Sequence, residues 1–299
     1  MFSSVVSFRR QPKAPRRRRL ILCCVALAVL LAALGVLIGV NNRNKPLPIA
    51  SFTTEELLCL FDAEIGSGIP LEDLAGVCAA QGWPLTRASE AAALLAPYAG
   101  TDRVQQLYAE HPIARRRALQ ARSRMTLVCQ ARRDKVFPFA DATAVDFADS
   151  WGDGRSFGGS RHHEGTDVFA RGGAGTEILS VCDGTVEKKG WLQLGGWRMG
   201  IRGDDGVYYY YAHMMGYADL EEGDRVARGQ VLGYEGDTGY GPEGTAGQFE
   251  AHLHFGMYQG KDKTELAFPS YPFLRAWLWD ATGVLLPVTA GDAATPEAA

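Results

Sequence analysis

The longest apolar stretch of the chain lies near its start. From Leu20 to Val40 every residue is apolar, Gly or Cys, so no charge interrupts the run. A helix rising about 1.5 Å per residue would cross a hydrocarbon core of about 30 Å over such a length. The pattern predicts a transmembrane helix at 20–40. A cleaved signal peptide is the alternative, but the run exceeds its usual ~7–15 apolar residues and no clear cleavage site follows.

After a short polar linker, helical patterns follow one another. Thr53 and Glu56 form a capping-box pattern ahead of an apolar run that Gly66 to Gly68 ends. This predicts a helix near 53–64. Further helices are predicted at 70–81, 86–96, 101–109 and, as an arginine-rich helix with a solvated face, 112–134.

Around Val136 the pattern changes, because Gly becomes frequent and β-branched or alternating runs replace the Ala-rich ones. Turn signals separate these runs, which favours a mostly antiparallel β domain. An aromatic stretch at 271–279 predicts a short helix, packed on the body or facing a membrane, and the last ten residues are expected to be disordered. The predicted strands are 143–150, 166–170, 177–188, 198–203, 207–213, 225–233 and 250–258.

Charge is distributed unevenly along the chain. The net charge is −3, yet residues 1–19 contain seven cations and no acid, which leaves 24 basic and 34 acidic residues from position 20 onward. An acidic main body argues against nucleic acid as a partner. Cations before the apolar run place the N-terminus in the cytoplasm by the positive-inside rule, so everything after Asn41 should lie outside the cell membrane.

The cysteines do not suggest a metal cluster. Two of the six, Cys23 and Cys24, fall in the predicted span, and the others show no C-x-x-C spacing. A Cys59–Cys78 disulfide is permitted outside the cell, but small buried hydrophobic residues are the favoured interpretation of all four, Cys59, Cys78, Cys129 and Cys182.

Histidines concentrate in the predicted β domain, where five of the six lie between positions 162 and 254. His252 and His254 flank Leu253 in an apolar run. Residues i and i+2 of a strand project to the same face, so both imidazoles can converge while Leu253 and Phe255 fill the core face.

A carboxylate joins these imidazoles. His163 and Asp167 are four residues apart, but Gly165 and Thr166 between them disfavour a helix. We expect His163 on the loop entering a strand and Asp167 within that strand. With His254 they supply two imidazoles and one carboxylate, a set that suits Zn²⁺ and leaves a position for water. His213 and His252 remain to orient or deprotonate that water.

These motifs, in this order, resemble the lysostaphin/LytM-type zinc endopeptidases, which cut bacterial cell-wall peptides. The resemblance covers roughly 136–262. It rests on His163-x-x-x-Asp167, Tyr211-Ala212-His213 and His252-Leu253-His254, supported by Asp183-Gly184-Thr185-Val186 and Gly223-Asp224-Arg225-Val226.

The resemblance implies zinc ligands at His163, Asp167 and His254 and a catalytic pair at His213 and His252. His162 has no role in the family pattern. It also implies a compact antiparallel β fold with a narrow groove over the metal, walled by Gly-rich loops at 151–161, 191–198 and 237–248.

The resulting prediction is an α+β protein with five parts. They are a basic cytoplasmic tail at 1–19, a transmembrane helix at 20–40, a linker and helical extracytoplasmic segment at 41–135, a LytM-type zinc metallopeptidase domain at 136–262, and a short helix with a disordered tail at 263–299.

The predicted function is hydrolysis of stem-peptide or cross-bridge bonds in peptidoglycan by a single-pass membrane protein. Two alternatives stay open: a non-catalytic LytM-like scaffold binding cell wall or partner proteins, and a D-alanyl-D-alanine carboxypeptidase, whose first His and Asp are more widely spaced.

Overall fold

The computed structural model describes residues 27, 29–31, 45–157, 159–261 and 264–287. The chain divides into two compact units, 1–45 and 46–299. Within the described ranges, no helix combines the length and the apolar character that a membrane crossing needs. The predicted tail at 1–19 and the last ten residues lie outside the described residues, as does most of the predicted span at 20–40. Those parts stay predictions.

Within residues 45–157, all of which the structure describes, six α-helices precede the β-rich part, where the sequence predicts five. The first begins at the predicted capping box, in which the Thr53 hydroxyl accepts from the Glu56 N–H and the Glu56 carboxylate accepts from the Thr53 N–H. It ends at Gly68, whose φ of 67° is left-handed. The helices are α1 (Thr54–Ser67), α2 (Leu71–Gln81), α3 (Ala88–Leu95), α4 (Arg103–Leu107), α5 (Pro112–Arg124) and α6 (Thr126–Arg132).

The arginine-rich stretch is two helices rather than one, with the break at Met125. Several of its arginines hold the helices to their neighbours. Arg122 lies 2.8 Å from buried Asp73, and Arg133 lies 2.6 Å from Glu72. The predicted solvated face is confirmed for Arg115, Arg116 and Arg117, which are exposed.

In the residues described, the β-rich part forms an eight-stranded sheet and two smaller sheets, and their strands pair antiparallel. The main sheet runs in the order β1-β4-β12-β8-β7-β6-β10, with β13 beside β12. The strands are β1 (Val145–Phe147), β2 (Gly154–Arg155), β3 (Arg161–His162), β4 (Thr166–Ala170), β5 (Glu177–Leu179), β6 (Gly184–Leu192), β7 (Gly196–Gly203), β8 (Tyr208–Met214), β9 (Gly216–Tyr217), β10 (Arg225–Val226), β11 (Val231–Tyr234), β12 (Leu253–Gln259) and β13 (Leu266–Phe268).

Two predicted strands were wrong as single elements. The segment predicted at 177–188 divides into β5 and β6, and that predicted at 225–233 divides into β10 and β11. In both cases the halves belong to different sheets, since β5 and β11 pair with each other while β6 and β10 pair in the main sheet. The breaks fall at Asp183-Gly184 and Arg228-Gly229, which lie inside the segments predicted as single strands.

The two faces of the main sheet have different neighbours. On one face, Phe255 and Tyr209 pack against Trp277 of α7 (Tyr271–Thr282), with ring centroids 6.1 and 6.4 Å apart. This confirms the predicted helix near 271–279 and places it against the body. Leu253 and Phe255 are fully buried, as the strand alternation predicts. His254 and Tyr210 lie on the opposite face, where they line a groove.

Helices and sheet share a hydrophobic core. Phe61 of α1 packs edge-on against Phe273 of α7 at 5.1 Å, and the Trp277 indole N–H donates to the Arg132 carbonyl at 3.1 Å. Residues 46–299 accordingly form one compact unit. The predicted boundaries at 135/136 and 262/263 stay predictions.

Candidate metal centre and groove

Three donor atoms from distant parts of the chain meet at one point. His163 Nε2 lies 3.1 Å from Asp167 Oδ1 and 2.9 Å from His254 Nδ1, and His254 Nδ1 lies 3.0 Å from the same carboxylate oxygen. The structure therefore brings together the three residues that the sequence singled out. Among the described residues, these three form a group whose side-chain donor atoms lie close enough together to hold a metal ion.

Strand pairing explains how two of these residues meet. Asp167 on β4 and His254 on β12 are direct cross-strand partners. Side chains opposite each other on neighbouring strands project to the same face, about 5 Å apart at their Cβ atoms. His163 enters from the loop before β4, as the sequence predicts.

The surroundings orient His163. Its Nδ1 lies 3.1 Å from the Ser150 carbonyl and 3.0 Å from the Ser150 hydroxyl. A carbonyl can only accept, so Nδ1 carries the proton and Nε2 presents its lone pair to Asp167 and His254. Such a backbone partner on the second ring nitrogen is usual for metal-binding histidines.

Arg155 orients the carboxylate of Asp167. Its Nη2 donates to Asp167 Oδ2 at 3.1 Å, which leaves Oδ1 facing the two imidazoles. Burial alone would raise the pKa of the Asp167 carboxyl, but the neighbouring imidazoles of His163 and His254 hold it well below its usual range. The carboxylate is therefore ionised at neutral pH.

Gly165 makes room for His254. A Cβ atom at this position would lie 2.7 Å from Cε1 and Nε2 of the His254 ring and 2.7 Å from the Phe255 carbonyl. Only glycine fits without moving the ring. The segment between His163 and Asp167 therefore needs glycine at position 165.

The three donors fit a zinc ion. Tetrahedral zinc with bonds of about 2.0–2.1 Å places its ligand atoms about 3.3 Å apart. The observed separations of 2.9–3.1 Å are close to that value. Two imidazole nitrogens and one carboxylate oxygen are also a common catalytic zinc set, with one position left open.

His213 is held beside this cluster by its backbone and by Thr238. It lies at the end of β8 with a φ of 63°, which is uncommon for a residue with a side chain. Its Nδ1 donates to the Thr238 carbonyl at 2.7 Å, so Nε2 keeps a free lone pair. Burial, with the nearby imidazoles of His254 and His252, lowers the pKa of His213 to about 3.

His252 completes the group of rings. Its Nδ1 donates to the Glu250 carbonyl at 2.7 Å, and its Nε2 lies 3.6 Å from Asp167 Oδ1. The His252 and His213 ring centroids are 4.8 Å apart. Both imidazoles thus have a carbonyl on Nδ1 and an available Nε2.

A groove of about 670 Å³ passes over His213 and His254. Each of the three predicted wall segments contributes to it, through Arg161, Leu194 and Tyr240. The middle wall is a β-hairpin rather than a loop, since residues 193–195 join β6 to β7. His162 also lines the groove, but it is exposed and lies outside the three-residue cluster.

Sequence reasoning missed several residues that shape the site. Ser150 belongs to no recognised motif. The contact of Arg155 with Asp167 joins β2 to β4 and exists only in the folded protein. Arg155, Arg198 and Thr238 do lie in segments predicted to wall the groove, which was the available signal for these three residues. The missed residues are Ser150, Arg155, Gly165, Arg198 and Thr238.

Comparisons with known proteins agree with this architecture. The sequence pattern of peptidase family M23 matches residues 161–266. An L-Ala–D-Glu endopeptidase of Bacillus subtilis is 49% identical over 145 residues, covering 48% of this chain and 44% of that protein. Lysostaphin of Staphylococcus simulans is 33% identical over 116 residues, covering 38% and 22% respectively. The chain thus spans less than half the length of these relatives.

A solved structure extends the likeness beyond the β domain. The crystal structure from Ruminococcus gnavus, provisionally named glycyl-glycine endopeptidase LytM, is 32% identical and has a TM-score of 0.54. The match covers 80% of this chain and 95% of that one, so it includes helices outside the M23 pattern. On the strength of this coverage and of the matched pattern, the chain belongs to peptidase family M23.

Proposed function

We propose that this protein is a zinc-dependent endopeptidase that hydrolyses peptide bonds in bacterial peptidoglycan. The observation that carries the proposal is the triangle of His163 Nε2, Asp167 Oδ1 and His254 Nδ1, with separations of 2.9–3.1 Å. Family membership supports it, and so do the endopeptidase names of the relatives.

His163, Asp167 and His254 would hold the zinc ion. When bound, zinc supplies a Lewis acid for the scissile carbonyl and lowers the pKa of water toward neutrality. The protein's own task is to keep the three donors in place, and Ser150 and Arg155 do this through the outer atoms of His163 and Asp167.

His213 and His252 are proposed as the proton-handling pair. Their Nδ1 atoms are committed to the carbonyls of Thr238 and Glu250, so each ring offers Nε2 as an acceptor. One Nε2 can take the proton from the attacking water and pass it to the leaving amine. The other, once protonated, can stabilise the negative charge that develops on the carbonyl oxygen.

The location is also a proposal. The cation-flanked apolar run at 20–40 supports a single-pass anchor with the N-terminus in the cytoplasm and residues 41–299 outside. An anchored domain outside the membrane would reach the cell wall directly.

The test uses the full chain and its variants. We expect the purified protein to contain one zinc ion and to release peptide fragments from peptidoglycan, as identified by mass spectrometry. His254→Ala should lose the metal. His213→Ala should keep the metal and lose turnover by about 10²–10⁴-fold, the usual share of general acid–base catalysis.

Each alternative predicts a different result. Protein that contains no zinc, although never exposed to a chelator, would favour the non-catalytic scaffold. Release of single D-Ala residues rather than cleaved cross-links or stems would indicate a carboxypeptidase. Full activity in His213→Ala would remove that residue from the proton-handling pair.

A further inference from the structure

Arg198 projects into the groove from β7, two strands away from His254. Its cross-strand partner on β6 is Gly190, which has no side chain to cover it. Adjacent strands lie about 4.8 Å apart, so the Arg198 and His254 backbones are about 10 Å apart. The long arginine side chain and a substrate side chain can together bridge that distance.

Among the described residues, the guanidinium of Arg198 has no partner of opposite charge. Its Nη1 is buried and has no hydrogen-bond partner among the described residues. Two acidic residues line the same groove, but neither forms an ion pair with Arg198 within the described part of the chain. Glu265 lies 3.5 Å from Arg202 instead, and Glu164 is exposed. Buried polar atoms are generally satisfied, so an unpaired arginine nitrogen in a cleft calls for an explanation.

Tyrosines also lie around this arginine. Tyr208 and Tyr210 line the groove with it, and the Tyr217 hydroxyl donates to the Arg198 carbonyl at 3.1 Å. Burial raises the pKa of Tyr208 to about 12 and also raises that of Tyr210, so both phenols stay neutral at physiological pH. They can donate hydrogen bonds to an anion but cannot neutralise the arginine.

Tyr210 connects this region with the metal centre. Its ring centroid lies 6.0 Å from that of His254, and on β8 it occupies the strand between β7 and β12. A ligand held by Arg198 would therefore lie beside the reacting atoms. The second arginine of the groove, Arg161, donates to the Tyr240 hydroxyl at 3.2 Å on a different wall.

From this arrangement we infer that Arg198 binds a carboxylate of the substrate peptide, on the residue next to the scissile bond. The guanidinium is the side chain best suited to bidentate pairing with a carboxylate. The substrate class is then an acidic peptide, rather than a neutral glycine bridge. The inference rests on the proposed peptidase function and specifies its substrate.

The names of the relatives distinguish the same two substrate classes. The Bacillus subtilis relative is named for an L-Ala–D-Glu bond, and the Ruminococcus gnavus structure for a glycyl-glycine bond. An L-Ala–D-Glu bond puts an acidic residue directly after the cleaved amide. A glycine bridge offers no carboxylate beside its scissile bond, so Arg198 would have nothing to pair with there.

The experiment compares two peptides that differ in one group. One contains an L-Ala–D-Glu bond with a free carboxylate on the D-Glu residue, and the other carries a carboxamide at that position. We expect the zinc-loaded full chain to favour the free acid by roughly 10- to 100-fold in kcat/KM, as for a hydrogen-bonded charged group. The Arg198→Gln variant should cleave both peptides at the rate at which the wild type cleaves the carboxamide peptide. The Arg198→Lys variant should retain part of the preference for the free acid.

Controls separate this inference from folding and from the proposed function. Arg228→Gln, at an exposed position outside the groove, should leave the preference unchanged. Zinc content should be equal in all variants. A wild-type enzyme that cleaves acid and amide equally, or a preference that persists in Arg198→Gln, would overturn the inference while leaving the peptidase function intact. Failure to cleave any peptide, including pentaglycine and whole peptidoglycan, would overturn both.

Discussion

At the residue scale, the site depends on residues that supply no metal-binding atom as well as on its histidines and aspartate. Gly165 is the clearest case, because the His254 ring occupies the space that any side chain at position 165 would need. Ser150 and Arg155 act similarly through the outer atoms of His163 and Asp167. Such supporting residues decide whether the metal-binding atoms converge.

Gly165→Ala should therefore weaken zinc binding. The added methyl group would push the His254 ring away from His163 and Asp167, and we expect affinity to fall at least about 10-fold. Competition with a chromophoric chelator measures this. Gly154→Ala is the matched control, because a Cβ there meets nothing within 4 Å. Equal zinc affinity in both variants would show that the ring can shift without consequence.

At the element scale, the first helix illustrates how local signals and packing combine. The Thr53–Glu56 capping box satisfies backbone N–H groups that the helix itself cannot. The buried face of α1 contains Leu57, Leu60 and Phe61, and Phe61 packs on α7. The start of the helix is thus encoded locally, whereas its orientation depends on α7.

Two substitutions on α1 should have opposite effects on stability. Thr53→Ala removes the cap and should lower the free energy of unfolding by about 1 kcal/mol. Gly66→Ala, at an exposed position where a Cβ meets nothing within 4 Å, should raise it by about 0.5–1 kcal/mol. Urea denaturation of the two variants measures both. Destabilisation by Gly66→Ala would mean that the last turn needs the flexibility of glycine.

At the scale of the whole molecule, Trp277 joins helices and sheet in one core. It is fully buried, contacts Tyr209 and Phe255 of the main sheet, and donates to the Arg132 carbonyl of α6. Since these elements share a core, we expect helical and β structure to unfold together.

Trp277→Ala should lower the free energy of unfolding by roughly 3–5 kcal/mol, as large-to-small core substitutions do. Far-UV circular dichroism and zinc release, followed in the same denaturant series, should give coincident transitions. Val284→Ala, which replaces a half-exposed residue beyond α7, should change stability by less than about 0.5 kcal/mol. Two separate transitions would show that the helices fold independently of the sheet.

Glu235 links the two larger sheets and makes stability depend on pH. It follows β11, is fully buried, and accepts from the Ala170 N–H of β4 at 3.2 Å, while its second carboxylate oxygen has no partner among the described residues. Burial raises the pKa of this carboxyl to about 7. The folded protein therefore holds a proton there that the unfolded chain releases near its ordinary value of 4.5.

Stability should accordingly fall as pH rises from about 4.5 to 7, because the folded state binds more protons over that window. Glu235→Gln should remove this contribution, so its advantage over the wild type should grow across the window to no more than roughly 3 kcal/mol. Denaturant unfolding of zinc-loaded protein at several pH values measures the difference. Parallel pH profiles for the two proteins would refute the assigned pKa shift.

Much of the site could be predicted from the sequence because its chemistry depends on residue types at short spacings. The alternation of His252, Leu253 and His254 along a strand predicts which side chains face the site and which face the core. The starts of helices could also be predicted from the sequence, since capping and apolar periodicity act within one or two turns. The pairing of strands could not be predicted in this way, because it joins residues far apart along the chain.

By itself the sequence determined the apolar run, the series of helices, the β-rich character of the second part and the histidine and aspartate residues able to bind a metal. Only the tertiary structure decided that Asp167 and His254 are cross-strand partners, that Arg155 and Ser150 orient the cluster, and that Arg198 lies in the groove with no acidic partner among the described residues. The reason is physical. Periodicity and capping are local properties of the chain, whereas distances, burial and charge pairing arise only when distant segments pack together.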